Sequence, residues 1–453
     1  MRTNLKAIQN FYFLGIGGIG MSALARYFHV MKKTVSGYDR TLTVLTRQME
    51  KEGIPITYQD SPDTLPIWLE PKNSLIIYTP ALPKDHQQWQ ILRAQSYPIK
   101  KRSEVLGLIT RDSFCLAVAG THGKTTICTL LGHLLHSAGK KSTAFLGGIA
   151  ENYQSNIILG GEEISVVEAD EFDRSFLQLS PDIACITSVD ADHLDIYQNK
   201  NALEDSYQIF SQQLKPQGKL FVYKGLPISG GISYAIGEQA DYYSDHLRME
   251  SNGWCFDFHS PDETWEALPL RLPGQHNLEN ATAALSMAMQ MQVTAEEARV
   301  ALTSFRGIRR RFSIQHRSGE KIYIDDYAHH PTEIDALIST TRAWAPGKKI
   351  LGVFQPHLFS RTRDFQEAFA RSLEKLDALI LLEIYPAREA PIEVITTLAL
   401  FKQIQLEEKE VAKLSNALER IRTKDFEVLL TIGAGDIDTL AEPIKKWLDE
   451  QYG

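Results

Sequence analysis

The chain has 453 residues and a net charge of −8, with 43% hydrophobic and 23% charged residues. The acidic balance argues against a nucleic acid or an anionic membrane as the main partner, and no stretch approaches the ~18 consecutive apolar residues of a membrane span. The four cysteines have no CxxC pair and no metal-type spacing, which predicts core thiols in a reducing, cytoplasmic compartment.

Residues 1–109 are predicted to form a first domain with alternating strands and helices. The apolar run NFYFLGIGGIG is predicted to be a first strand and not a signal peptide; it leads into the helical MSALARYFHVM and the strand KKTVSGYD. Further strands are predicted at SLIIYTPA and near YPIKKRSEVLG. The pattern G-x-G-x-x-G, on Gly15, Gly17 and Gly20 with Asp39 ending the next strand, indicates a pyrophosphate on a helix N-terminus. This geometry leaves NAD and a nucleoside diphosphate-sugar both open.

Residues 110–309 are predicted to form a second domain built around the stretch AGTHGKTT. The common phosphate loop has a glycine six positions before its lysine, but Val118 stands there, so we expect a shortened loop. Lys124 would neutralise the terminal phosphates, and the hydroxyl of Thr125 would ligate Mg²⁺. The strand SFCLAVAG before the loop and the helix TTICTLLGHLLHSAGK after it supply the required context.

Two further metal-ligand candidates, Glu168 and His193, follow predicted strands of the same domain. Because the carboxyl ends of parallel strands meet at one edge of a sheet, we expect both side chains near Lys124. The stretch from about 220 to 270 is predicted to be irregular β structure, followed by a loop and helix at LPGQHNLENATAA.

Residues 310–453 alternate again, with strands predicted at KIYIDDYAHHP, KKILGVFQPH, DALILLEIYP and FEVLLTIGAGD. The predicted fold class is therefore α/β in three domains: a Rossmann-like N-terminal domain, a P-loop ATPase-like central domain with a mixed sheet, and a Rossmann-like C-terminal domain.

The motifs resemble those of the Mur ligases of peptidoglycan synthesis, in the family's order from about residue 11 to residue 436. The motifs are GIGGIGMSALA, GTHGKTT, EADEFDRSF, DADHLD, LPGQHNLENATAA, RRRF, DDYAHHPTE and QPHLFSRTRD. The resemblance implies three α/β domains that bind a UDP-sugar, ATP and an amino acid in turn. The motifs are most similar to those of members that join L-alanine to UDP-N-acetylmuramate through an acyl phosphate.

The resemblance also implies residue roles. In the family, Lys124 would contact the terminal phosphates, Thr125 and Glu168 would hold a first Mg²⁺, and His193 a second. The remaining implied ATP contacts are Gly120, Thr121, His122, Gly123, Thr126, Asn277 and Asn280. The implied UDP-sugar contacts are Gly15, Gly17, Gly18, Gly20, Asp39 and Thr79. The implied amino-acid contacts are Tyr327, His329 and Arg361, and Arg311 is the implied catalytic arginine, with Arg309 and Arg310 as alternatives.

Besides Thr79, which lies in YTPALP where the family motif often has paired serines, two positions depart from the family pattern. Leu358 stands where relatives typically have an arginine, and Phe172 stands where many alanine-adding members have serine. A related recycling ligase, which attaches a preformed tripeptide to the same sugar, often has tyrosine at the second position and is the nearest alternative. An NAD-dependent oxidoreductase and a non-catalytic nucleotide-binding protein are the alternatives from other classes. The expected partners are small molecules only, for a cytoplasmic monomer or homodimer that serves cell-wall synthesis, cell shape and division.

Overall fold

The structure is a computed structural model, and it describes residues 4–190, 200–250, 253–387 and 389–453. Within these residues the strands form three sheets, which confirms the predicted α/β class. The chain divides into two compact units, described separately below: Met1–Arg271 with Leu278–Arg306, and Leu272–Asn277 with Gly307–Gly453. The three-domain boundaries at 109 and 309 stay a prediction.

The first sheet has five parallel strands in the order β3-β2-β1-β4-β5, which is the strand order of a Rossmann fold without its sixth strand. Its strands are β1 Asn10–Leu14, β2 Thr34–Tyr38, β3 Ile56–Thr57, β4 Ser74–Tyr78 and β5 Ile99–Lys101. Its helices are α1 Ile19–Val30, α2 Val44–Lys51, α3 Gln87–Ala94 and α4 Arg102–Asp112. The strands β1 and β4 are buried along nearly their whole length, as apolar runs in a parallel sheet should be.

The central sheet has ten strands in the order β15-β14-β13-β12-β11-β10-β6-β9-β7-β8. Its strands are β6 Phe114–Ala119, β7 Ser142–Ala150, β8 Ser155–Leu159, β9 Ile164–Ala169, β10 Ile183–Ile186, β11 Lys219–Tyr223, β12 Ile232–Ile236, β13 Tyr242–Glu250, β14 Gly253–His259 and β15 Thr264–Leu270. Its helices are α5 Lys124–Ser137, α6 Lys200–Ser211, α7 Gln275–Gln290, which runs on from the second unit, and α8 Ala295–Ser304.

Antiparallel pairs at both ends make this sheet mixed, as predicted: β7 with β8 at one end, and β13 with β14 and β14 with β15 at the other. The stretch from 220 to 270, predicted to be irregular β structure, forms the paired strands β11 to β15, whose pairing is interrupted by two bulges. Cys115, Cys128 and Cys185 are buried free thiols, as predicted for core cysteines, whereas the free thiol of Cys255 is partly exposed.

The first and central sheets share one apolar core. Helix α1 packs against β7 and β8, and one cluster of buried side chains includes Phe13 of β1, Leu24 of α1 and Ile157 of β8. The rings of Tyr27 and Phe145 meet edge to face across this boundary, with centroids 5.3 Å apart. The two sheets therefore form a single packed unit.

The second unit contains a six-stranded sheet in the order β16-β17-β21-β18-β19-β20, parallel except for β16. Its strands are β16 Ser313–Arg317, β17 Ile322–Asp326, β18 Ile350–Phe354, β19 Ala378–Leu382, β20 Lys409–Ala412 and β21 Val428–Ile432. Its helices are α9 Pro331–Trp344, α10 Phe359–Asp364, α11 Gln366–Leu373, α12 Thr397–Gln403, α13 Ala417–Arg422 and α14 Ala441–Tyr452. Separate apolar clusters lie on either side of this sheet, as a doubly wound fold requires.

Among the described residues, every helix is too short or too polar to cross a bilayer.

Candidate functional site

The loop between β6 and α5 depends on two glycines. Gly120 has φ +131°, and a Cβ there would lie 2.0 Å from Thr187 Oγ1. Gly123, the N-cap of α5, has φ +84°, a left-handed conformation that side chains disfavour. Lys124 is the first residue of the helix, so the loop delivers backbone N–H groups and a lysine to one helix N-terminus. The predicted strand–loop–helix context is confirmed.

Residues that follow β10 make hydrogen bonds to this loop. Thr187 Oγ1 donates to His122 O at 2.6 Å, and His122 N donates to Ser188 Oγ at 2.9 Å. Thr121 N donates to Ser188 O at 3.2 Å, and Thr121 Oγ1 pairs with the backbone of Asp190 at 3.0 Å. The sequence analysis missed Thr187 and Ser188, although their place after a strand adjacent to β6 is the signal that could have found them.

Lys124 is held by a buried carboxylate. Its Nζ lies 2.8 and 2.9 Å from the two Glu171 oxygens, and Glu171 is 2% exposed. Burial lowers the pKa of the Lys124 ammonium, but Glu171 and Asp170 outweigh it, so the pKa ends above its ordinary value. The Lys124 ammonium is therefore charged and paired with the Glu171 carboxylate. Glu171 is not among the residues predicted from the sequence, although it lies three residues after Glu168.

Glu168 is the second-last residue of β9, which pairs with β6, so its carboxylate reaches the same edge as the loop. Its Oε2 accepts from Thr125 Oγ1 at 3.0 Å, and its Oε1 accepts from Gly147 N at 2.5 Å. Burial raises the pKa of Glu168, and the Gly147 N–H and the Lys124 charge only partly offset this. Adjacent ligands of octahedral Mg²⁺, each about 2.1 Å from the ion, lie about 3.0 Å apart. Thr125 and Glu168 therefore fit the metal role that the family implies.

The other implied ATP residues differ in placement. Thr126 is buried in the first turn of α5, and Asn280 Oδ1 lies 2.4 Å from where a Gly123 Cβ would stand. Asn277 belongs to the second compact unit, where its Nδ2 donates to Pro273 O at 2.6 Å. His193 lies outside the described residues, so its metal role stays a prediction.

The first glycine loop, between β1 and α1, is closed by a carboxylate. Gly17 N donates to Asp39 Oδ2 at 2.8 Å, and a Cβ on Gly17 would lie 2.8 Å from the same oxygen. Gly15 has φ +86°, and a Cβ there would lie 2.6 Å from Thr79 Cγ2. Gly18 is the N-cap of α1, the helix N-terminus that the pattern predicts as a pyrophosphate site. Gly15, Gly17, Gly18, Asp39 and Thr79 are thus brought together.

A cation that sequence analysis missed lies beside the last glycine of this loop. A Cβ on Gly20 would come within 2.9 Å of Arg102 Nη1. Arg102 begins α4, and it lines a small cavity together with Glu168 and Asp170 of the central sheet. No spacing rule points to an arginine this far along the chain.

The predicted amino-acid residues form a connected cluster in the second unit. The rings of Tyr327 and His329 have centroids 5.2 Å apart, and those of His329 and His357 are 6.1 Å apart. Arg361 Nη1, on α10, lies 3.4 Å from His357 Nδ1. Burial lowers the pKa of His329, an effect that Glu333 opposes and the nearby Arg361 reinforces. His357 is the member that the sequence analysis did not single out.

Two of the three adjacent arginines face Tyr327, with guanidinium carbons 5.1 Å (Arg310) and 5.3 Å (Arg311) from the ring centre. Arg310 is tied into the fold, since its Nε lies 3.6 Å from the buried Asp325 and its Nη2 donates to Gly433 O. Arg311 is about a third exposed and lies 3.8 Å from Glu333. Of these two arginines, Arg311 makes the weaker contacts within the unit and is the more exposed to solvent.

Three family descriptions match the chain in succession. Residues 10–114 match the Mur ligase family catalytic domain, residues 118–288 the Mur ligase middle domain, and residues 310–435 the Mur ligase glutamate ligase domain. The chain belongs to the Mur ligase family.

Relatives within the family narrow the comparison. The chain is 50% identical over 447 residues to a UDP-N-acetylmuramate–L-alanine ligase of Christiangramia forsetii, covering 98% of this chain and 99% of that one. A protein of the same description from Flavobacterium psychrophilum is 49% identical, with 99% and 100% covered. The crystal structure of a UDP-N-acetylmuramate-alanine ligase from Thermotoga maritima superposes with a TM-score of 0.83 at 27% identity, covering 97% of this chain and 99% of that one.

Proposed function

We propose that the protein is an ATP-dependent ligase that joins L-alanine to the lactyl carboxylate of UDP-N-acetylmuramate, an early step of peptidoglycan synthesis. The observation that carries the proposal is the Lys124, Thr125 and Glu168 arrangement on one sheet edge, in a chain with a second, lysine-free glycine loop. Two separate phosphate-type loops suit a reaction with two nucleotide substrates. The near-full-length relatives supply the identity of the acceptor and the amino acid.

The chemistry needs an activated carboxylate, because oxide is a very poor leaving group. A lactyl carboxylate oxygen attacks the γ-phosphorus of ATP and ADP leaves, which gives an acyl phosphate. The alanine amine then attacks the acyl carbon, and inorganic phosphate leaves with the electrons of the C–O bond. Catalysis of this kind rests on positioning and on neutralising negative charge.

The chain's own residues divide this work. Lys124 would exchange Glu171 for the terminal phosphates of ATP, which keeps its charge paired in both states. Thr125 and Glu168 would hold Mg²⁺, which supplies charge neutralisation to the phosphates. Asn280, against Gly123, would border the nucleotide, and Arg311 would meet the phosphates. Asn277 near the adenine and His193 as a second metal ligand complete the proposal.

The acceptor and the amino acid would use the other two clusters. The backbone of Gly15, Gly17 and Gly18, with Thr79 beside it, would take the UDP-sugar, and Asp39 would hold the loop in shape. Arg361 would bind the alanine carboxylate, since its planar fork suits two parallel hydrogen bonds, with Tyr327 and His329 shaping the pocket. We further propose a cytoplasmic enzyme that works as a monomer or homodimer.

The most informative experiment measures phosphate release with ATP and Mg²⁺, with and without UDP-N-acetylmuramate. L-alanine, glycine, L-serine and the murein tripeptide are offered in turn. We expect release only when both the sugar nucleotide and L-alanine are present. Turnover with the tripeptide alone would assign the chain to the recycling ligases, and NAD binding in place of the sugar nucleotide would overturn the assignment of the first loop.

A further inference from the structure

Asn156, on the edge strand β8, is fully buried and uses its whole amide on helix α1. Its Nδ2 donates to Ile19 O at 2.5 Å and to Ser22 Oγ at 2.8 Å, while its Oδ1 accepts from Arg26 Nη1 at 2.5 Å. The orientation of the amide is set by its neighbours, because a flipped amide would turn its NH₂ group toward the guanidinium and its oxygen toward a carbonyl. One side chain of the central sheet thereby fixes the first two turns of α1.

Arg26 makes this attachment rigid on its other side. Its Nε and Nη2 lie 2.6 and 2.8 Å from the two oxygens of Glu52, the C-cap of α2. Arg26 is 4% exposed, whereas the side chain of Glu52 is 34% exposed, so the arginine end of this two-pronged ion pair is shielded from water and the glutamate end is partly solvated. The helix that follows the first glycine loop is therefore clamped between α2 and the hairpin of β7 and β8.

The facing strand of the same hairpin contacts Glu168, whose carboxylate accepts a hydrogen bond from Thr125 after the second loop. Strands β7 and β8 pair as far as Phe145 with Ile157, lose register, and pair again at Ala150 with Ser155. The bulge, residues 146–149 of β7, lies opposite Asn156 and contains Gly147, whose N–H is bonded to Glu168. Bulges often occur where a strand must redirect a group toward a site. The hairpin therefore makes two contacts at neighbouring positions. Asn156 on β8 binds helix α1 behind the first loop, and Gly147 on β7 binds Glu168 beside the second loop.

We infer that Asn156 is a positioning residue that couples the two nucleotide sites through this hairpin. The inference rests on the proposed function, with the sugar nucleotide at α1 and ATP at Lys124. Any shift of Glu168 when a metal–nucleotide binds reaches Gly147 and the bulge, and the saturated Asn156 amide passes that shift to the first turn of α1. Coupling of this kind is reciprocal, so each ligand tightens the binding of the other.

The test is calorimetric titration of the full-length protein with a non-hydrolysable ATP analogue and Mg²⁺, with and without saturating UDP-N-acetylmuramate. In the unsubstituted protein we expect the sugar nucleotide to tighten binding of the analogue at least about fivefold. In Asn156→Ala this factor should fall below about twofold, with each ligand alone binding within about threefold of the parent. Ser22→Ala, which removes one of the three bonds, gives a milder second variant should Asn156→Ala fold poorly.

Asn152→Ala is the matched control. Asn152 lies in the turn of the same hairpin, but its bonds go to Ser304 O and Arg306 N, both at 2.8 Å and neither on α1. It should keep the full coupling factor. An equal loss of the coupling factor in Asn156→Ala and Asn152→Ala would overturn the inference and leave the proposed function intact. Unchanged coupling in folded Asn156→Ala and Ser22→Ala would do the same. Binding of both ligands without coupling in the unsubstituted protein would do the same, whereas failure of either to bind would overturn the proposed function and the inference with it.

Discussion

The two glycine loops of the first unit share a plan but differ in their charged partners. Both follow a parallel strand and end at a helix N-terminus, with glycines where a Cβ would collide. The loop before α1 is closed by the carboxylate of Asp39 on its own backbone. The loop before α5 carries Lys124 and faces Glu168 and Glu171 across the sheet edge. A glycine loop alone can hold a phosphate, and the lysine and carboxylates add the charges that phosphoryl transfer needs.

The helices behind the loops are also anchored differently. Helix α1 is held by the ion pair of Arg26 and Glu52. Helix α5 is held by His133, whose Nδ1 lies 2.8 Å from Tyr153 Oη and whose Nε2 lies 3.1 Å from Ala301 O. Burial lowers the pKa of His133 to about 4, so this histidine stays neutral in the folded protein at mildly acidic pH, where it would be protonated in the unfolded chain. The loops should therefore respond differently both to substitution and to pH.

The largest expected effect is that of Lys124→Ala. Removing the cation at the transferring phosphate should lower turnover by at least about 10³-fold. Binding of UDP-N-acetylmuramate should stay within about threefold, because that ligand is assigned to the other loop. Phosphate release and titration with the sugar nucleotide measure the two quantities, with Lys140→Ala as the control. Loss of sugar-nucleotide binding with turnover spared would show that the loops are assigned the wrong way round.

Glu168→Gln should come next, with turnover lowered about 10²-fold at millimolar Mg²⁺. Glutamine keeps the shape and can still accept from Gly147 N, so the change removes mainly the charge that holds the ion. Raising Mg²⁺ should recover part of the activity, which a Mg²⁺ titration of phosphate release would measure. An unchanged Mg²⁺ dependence would return Glu168 to a structural role.

Arg361→Ala tests a site that belongs to neither loop. A charge-assisted hydrogen bond contributes roughly 1.5–3 kcal/mol, so the KM for L-alanine should rise at least about tenfold. The KM values for ATP and the sugar nucleotide should change little. Arg363→Ala, on the same helix but pairing with Asp364, is the control. Equal changes in all three KM values would mean that Arg361 supports folding and does not bind the carboxylate.

Leu358→Arg should lower the KM for L-alanine more weakly than Arg361→Ala raises it, because it restores the arginine that relatives typically carry. Leu358 has φ +72°, so the strain of that backbone is already present and the substitution adds little of its own. Steady-state kinetics with L-alanine as the varied substrate would measure the change. A higher KM would show that the leucine suits this pocket.

Asp39→Ala should affect the sugar nucleotide and spare ATP, whereas Lys124→Ala should spare binding of the sugar nucleotide. Without the acceptor for Gly17 N, the loop loses about 1 kcal/mol of local restraint, and the KM for UDP-N-acetylmuramate should rise about fivefold. The KM for ATP should be unchanged. Asp63→Ala, at an exposed position near the same sheet, should leave both constants alone. A larger effect on ATP than on the sugar nucleotide would contradict the separation of the two loops.

The smallest expected effect concerns stability at acidic pH. His133 has a folded pKa of about 4 against 6.5 for the unfolded chain, so the unfolded state binds more protons between these values. Its contribution to the free energy of unfolding is present above pH 6.5 and is lost as the pH falls toward 4. Between pH 7 and 5.5 the loss should be about 1 kcal/mol. His133→Gln should flatten this slope in chemical denaturation, and an unchanged slope in that variant would show that His133 is not its source.

Much of this arrangement could be predicted from the sequence, because glycine patterns and strand ends are local signals. Gly15 to Gly20, Gly120 to Lys124 and Glu168 lie where their spacing indicated. Contacts made across the fold carry no such signal. The bracing by Thr187 and the placement of Arg102 beside Gly20 depend on which strands and helices become neighbours. The hairpin of β7 and β8 was missed as well, although it links both loops.

The shared core of the first and central sheets bears on how the chain can be cut. A fragment ending near residue 109 would bare the face of α1 that packs on β7 and β8, including Leu24 and Tyr27. The fragment would also lack Asn156, so the Arg26 guanidinium would lose a hydrogen-bond acceptor as well as the apolar side chains of β7 and β8 that cover α1. Such a fragment should be poorly soluble and prone to aggregate, because it exposes a contiguous apolar surface. A cut near residue 306, in contrast, follows the division between the compact units. For this chain, the smallest well-behaved piece that binds the sugar nucleotide should extend through the central sheet.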